Sequence, residues 1–144
     1  MKNILNKVLI TLDVADKTAL LILLSKDGNI HRKGNGNAND TTQKLKQGFS
    51  PDGHFEALLM TIDEGIFNHT GVTKIPERLG RECVLTIVFD ANRGEGYSFR
   101  VVYGENSQGP PRELAEILIN AVKITEAWYN APLKVEKPWW QFWK

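Results

Sequence analysis

Alternation of apolar and polar positions organises the first third of the chain. Val8, Ile10, Leu12 and Val14 interleave with Leu9, Thr11 and Asp13, a period of two that places one set on a buried sheet face. After a turn at Ala15-Asp16-Lys17, residues 18–25 form an apolar run suited to a central strand. Lys26-Asp27-Gly28-Asn29 then predicts a hairpin. Asp-Gly between strand-like runs suits a two-residue type I′ turn with positive φ at both positions. A third strand, residues 30–33, completes a meander.

Residues 34–50 are polar and rich in Gly and Asn, and read as a long loop with a short helix around 42–47. Ser50-Pro51-Asp52 predicts the start of a helix, with a capping serine, proline in the first turn and carboxylates at the positive end of the dipole. Phe55, Leu58, Leu59, Ile62 and Ile66 make its apolar stripe, and Gly71 is its stop. Residues 71–81 read as a connection. Cys83, Leu85, Ile87 and Phe89, then Tyr97, Phe99, Val101 and Tyr103, alternate as the two strands of a second hairpin. Gly109-Pro110-Pro111 introduces a second helix whose inner stripe is Leu114, Ile117, Leu118, Ala121, Ile124, Thr125 and Trp128. Asn130-Ala131-Pro132 ends it.

The order β-β-β-α-β-β-α predicts an α+β domain over residues 1–131, an antiparallel sheet of about five strands with two helices packed on one face. Residues 132–144 form an aromatic C-terminal tail. Leu9, Val84, Val88 and Val102 point away from the helices in this reading, so the second face is partly apolar and calls for a cover.

Length and composition change this picture little. A chain of 144 residues with 42% hydrophobic and 24% charged residues suits a single domain with a core of its own. Charge does exclude something. Eighteen basic against 17 acidic residues leave +1, which lacks the electrostatic footprint of a duplex-binding protein. A single cysteine, Cys83, excludes an internal disulfide and fits a reducing compartment. The opening residues show no signal-peptide pattern, so a cytoplasmic location is expected. The longest unbroken apolar run, residues 19–24, is far short of a membrane span.

Candidate chemistry is sparse. Three of the four tryptophans fall in the last six residues, so Trp139, Trp140, Phe142 and Trp143 are candidate partner-binding residues. His31, Arg32 and Lys33, followed by Gly34 and Gly36, resemble an anion cradle, but no strand-to-helix context or Gly-Lys-Ser/Thr completes one. His54 and Glu56 could join them in a polar site between the 34–50 loop and the first helix, the basis of a small-enzyme alternative. Tyr97, Phe99 and Tyr103 with Arg100 give a second alternative, weak binding of single-stranded nucleic acid or an anionic ligand. Asp90 to Gly96 begins like a calcium loop but has Glu95 where the sharp turn needs glycine.

No catalytic constellation, metal site or cofactor motif is expected. The expected function is therefore contact: a non-catalytic adaptor, chaperone-like or immunity-like protein. Its partner would be another protein or a second copy of itself, and the protein is expected to be dimeric. Membrane and nucleic-acid partners are disfavoured by the short apolar runs and the balanced charge.

Overall fold

The computed structural model describes residues 5–36, 44–75, 79–91, 96–106 and 109–131. Ten residues of alternating pattern make β1 (Leu5–Val14), which pairs with β2 (Lys17–Ser25) across a two-residue turn. Both turn residues, Ala15 and Asp16, have positive φ (50° and 66°). The type I′ geometry expected at Asp27-Gly28 thus occurs one hairpin earlier, on two residues other than glycine. Asp13 steadies this turn by accepting from the Thr18 hydroxyl at 3.0 Å.

At the second turn only Gly28 has positive φ (99°), and its N–H donates to the Ser25 carbonyl at 3.1 Å. This corrects the type I′ expectation there: three residues, not two, join β2 to β3 (Asn29–Lys33). The Asp27 carboxylate accepts from the Ser25 hydroxyl and from the N–H and side-chain amide of Asn29. A Cβ on Gly28 would stand 2.6 Å from the Phe49 ring, so close approach reinforces the conformational demand.

Among the described residues the sheet has seven strands in the order β4-β3-β2-β1-β6-β7-β5, where β4 is Leu45–Phe49, β5 is Gly71–Lys74, β6 is Glu82–Ala91 and β7 is Tyr97–Gly104. It is mixed: β5 runs parallel to β7 and every other pair is antiparallel. The expectation of five antiparallel strands therefore falls short by two edge strands. Both lie in segments that lack an apolar alternation. All four residues of β5 and four of the five in β4 are exposed, so backbone pairing to a formed neighbour is what places them. Residues 45–49 are accordingly strand, not helix, while 37–43 lie outside the described residues.

The first helix is also shorter than its stripe. The helix α1 spans His54–Met60 and follows Gly53, which is left-handed; Ser50 instead accepts from the Asp52 N–H. It stops where Thr61 turns its hydroxyl back to the Leu58 carbonyl at 2.7 Å. A 3-10 turn, Glu64–Asn68, follows, capped by Asp63 accepting from the Gly65 N–H. Phe55, Leu58, Leu59, Ile62 and Ile66 are nonetheless all buried, so the stripe is right and its continuity is not. The second helix, α2, spans Arg112–Asn130.

The core joins the buried sides of α1 and α2 to one sheet face: Val8, Ile10 and Leu12 of β1, Ile22 and Leu24 of β2, Leu85, Ile87 and Phe89 of β6, Phe99 and Val101 of β7. Phe67 meets the Phe89 ring nearly edge-on, with centroids 5.4 Å apart, and also packs against Tyr97 and Phe99. The other sheet face carries no helix among the described residues.

Candidate contact surface

The register of the central strands assembles the open face. Leu23 of β2 stands opposite Leu9 of β1, which stands opposite Val88 of β6. Three apolar side chains thus sit abreast across the middle of the sheet, with Leu21 two residues along from Leu23 and Val84 further along β6. All five are half-buried, and none belongs to the core cluster. Thr11 and Thr86 pair between them. Polar residues surround the row. Lys7 and Asp90 form an ion pair at 3.2 Å at one end, and Asp13, His31, Lys33 and Arg100 share the face. At the β4 edge, Leu45 and Phe49 lie opposite Lys33 and Asn29 on this same side and are exposed.

The basic segment singled out in the sequence is divided by strand alternation. His31 faces the open side between Leu23 and Gln47, and Lys33 lies exposed at the end of β3. Arg32 points to the closed side and has no exposed surface. Its guanidinium is occupied throughout. Nε donates to the Gly34 carbonyl at 3.2 Å, and Nη2 donates to Asn35 Oδ1 at 2.6 Å. Nη1 lies within 3.3 Å of the Val122 carbonyl, Thr125 Oγ1 and Glu126 Oε2. The Tyr129 ring lies beneath, 4.5 Å from the guanidinium carbon.

This donation holds the Glu126 carboxyl below the usual range. Tyr129 completes the junction, accepting from the Gly34 N–H at 3.0 Å and donating to the Lys44 carbonyl at 2.8 Å. Arg32 therefore fastens the end of α2 to the β3 edge and offers no solvent-facing anion site. Sequence reasoning missed this role. The signal was present in parity: Arg32 shares the face of buried Ile30, and Thr125 lies on the inner stripe of α2.

His54 opens α1 and Glu56 is exposed in its first turn. They line a hollow of about 410 Å³ with Asn29, Phe49 and Ser50. His31 lines a different hollow, about 800 Å³, with Lys7, Leu23 and Asp90. The structure does not bring His31, Arg32, His54 and Glu56 together. Nor do the β7 aromatics form a stacking platform with Arg100: Phe99 is core, and Arg100 projects from the other face. Cys83 is buried and its thiol is pushed up by desolvation, which withholds the thiolate a nucleophile needs. Trp139, Trp140, Phe142 and Trp143 lie outside the described residues.

One further concavity was not visible in the sequence. A cleft of about 610 Å³ opens between the 3-10 turn, β5 and the first turns of α2. Ile62, Ile66, Phe99, Leu114 and Ile117 make its floor; Asp63, Glu113, Glu116 and His69 stand around it. Residues 61–73, Phe99 and residues 111–117 together build it, so no local motif announces it.

Among the described residues no three His, Cys, Asp or Glu side chains gather into a metal-binding group, and no helix is long and apolar enough to cross a membrane. Comparison with protein-family models, with curated proteins and with solved structures finds no match.

Proposed function

We propose that this protein acts by non-covalent contact, and that the open sheet face is the contact surface, occupied by a second copy of the chain. The observation that carries this reading is the row Leu23-Leu9-Val88, flanked by Leu21 and Val84, which no described helix covers. A central apolar row ringed by polar residues has the anatomy of an interface core with its rim. The face also carries both signs of charge, with Asp13 and Asp90 against Lys7, Lys33 and Arg100. Two such faces can stack in opposite orientation with acid over base, and sheets pack face to face at a spacing of about 10 Å.

A catalytic role would require polar groups converging in one cavity, and the candidate histidines line two separate hollows.

The test is the mass of the full chain in solution, by sedimentation over a range of concentrations, beside a Leu9→Lys variant with unchanged circular dichroism. The reading expects a two-copy species for the parent chain and a single-copy species for the variant. A parent chain that stays single-copy at every concentration, or a variant that associates equally well, overturns it.

A further inference from the structure

The cleft between the 3-10 turn Glu64–Asn68, β5 and the start of α2 has no place in the proposed interface, since it lies on the helical side of the sheet. Its floor is apolar, and Ile62, Ile66, Phe99, Leu114 and Ile117 leave about 610 Å³ of open concavity above them. That falls within the size range of about 300–1,000 Å³ typical of sites that bury an organic group. Its rim is acidic. Glu116 is paired with Arg112 at 2.9 Å, whereas Asp63 and Glu113 have no cationic partner among the described residues. One of the exposed large apolar side chains, Met60, directly precedes the lining residue Thr61.

An occupant that satisfies such a place has bulky apolar rings and nearby positive charge. Residues 132–144 have both: Trp139, Trp140, Phe142 and Trp143, with Lys134, Lys137 and Lys144 against Glu136. Length agrees as well. The cleft residues of α2 lie roughly 20–27 Å back along the helix from Ala131, at about 1.5 Å per residue. Trp139 is eight residues past Ala131, and at about 3.3 Å per residue those eight can span at most roughly 26 Å, enough to reach the cleft. The open sheet face offers no comparable charge match, because its acids are balanced by Lys7, Lys33 and Arg100.

We infer that the acid-rimmed cleft is the seat of the chain's own aromatic C-terminal segment, docked within the same molecule by burial of tryptophan and by lysine–carboxylate attraction. The cleft is an intramolecular receptor, independent of the sheet-face interface.

Disulfide trapping in the full chain tests this. Thr73→Cys on the cleft wall is combined with Gln141→Cys in the aromatic segment, oxidised at low protein concentration and read as intramolecular link by mass spectrometry. A parallel chain carries Gln47→Cys at the β4 edge of the open face with Gln141→Cys. The expected result is an intramolecular link for the first pair and little for the second. Adding Asp63→Lys and Glu113→Lys to the first pair should lower its trapped fraction several-fold, and added salt should lower it in the same direction. No link, a link only between molecules, or preferential linking to position 47 overturns the inference. The sedimentation result for Leu9→Lys is unaffected by any of these outcomes, so the two readings fail separately.

Discussion

The two faces of the central strands are made from neighbouring residues and obey opposite rules. On β1, Val8, Ile10 and Leu12 enter the core while Lys7, Leu9, Thr11 and Asp13 look the other way. On β6, Leu85, Ile87 and Phe89 enter while Val84, Thr86, Val88 and Asp90 look out. Among the described residues the closed face fully buries one charged side chain, Arg32, and surrounds its donors with carbonyls, a hydroxyl and carboxylate and amide oxygens. The open face mixes threonines and an exposed ion pair with leucine and valine and leaves them half in water. Desolvation is complete on one side and partial on the other. Polar groups on the closed side must therefore be satisfied by protein, whereas on the open side water serves.

The largest expected effect lies on the closed face. Phe89→Ala removes a fully buried ring that packs against Phe67 and Phe99, and should cost about 4 kcal/mol in urea unfolding. Arg32→Met comes next. Gly34, Val122 and Thr125 lose a donor behind the helix end, and the midpoint of unfolding should fall by the equivalent of about 3 kcal/mol. A loss no larger than a surface change, about 0.5 kcal/mol, would mean that water reaches this junction and that the closed face is less dry than described.

Tyr103 probes the margin of the same face, opposite Cys83 and partly buried against the core. Burial pushes its phenol from 10.0 to about 12. The neutral form is the one favoured by the fold. Its contribution is therefore intact below pH 10 and is lost as pH rises toward 12. Phenolate absorbance should show a late-titrating tyrosine that vanishes in Tyr103→Phe, and that variant should lose less stability over the same alkaline window. A phenol titrating with the exposed tyrosines of the unfolded chain would open the margin to solvent.

The smallest effect belongs to the open face: Leu9→Thr should change the stability of the single chain by less than about 1 kcal/mol, although its neighbour Ile10 is fully buried. A cost approaching that of Phe89→Ala would show that something already covers Leu9, and the contrast between the faces would fail.

How much of this was legible follows from the same contrast. Alternation identifies the inward residues of β1, β6 and β7 because a large apolar face must be sorted from a mixed one. It says nothing of β4 and β5, whose side chains stay in water and whose places depend on backbone pairing with β3 and β7. The stripe from Phe55 to Ile66 was readable as burial, but the break after Met60 depends on Thr61 and Asp63 claiming backbone groups locally. The candidate surface was half legible: Leu9, Val84 and Val88 were marked as outward. Val102, marked with them, stands opposite Val84 on that same face, outside the core cluster, and is more deeply buried than the other three. Leu21 and Leu23 were hidden inside an unbroken apolar run in which parity cannot be seen. The cleft was invisible, because its walls meet only in the finished fold.

The Arg32 junction also bears on how the chain comes into being. The guanidinium and the Gly34 N–H belong to the early hairpins, but several of their partners, Val122, Thr125, Glu126 and Tyr129, are supplied by residues translated some ninety positions later. A nascent chain halted before that helix holds a cation on the side of the sheet destined to become dry, with water as its only substitute for those groups. Closure of the interior is thereby deferred until the final helix has emerged.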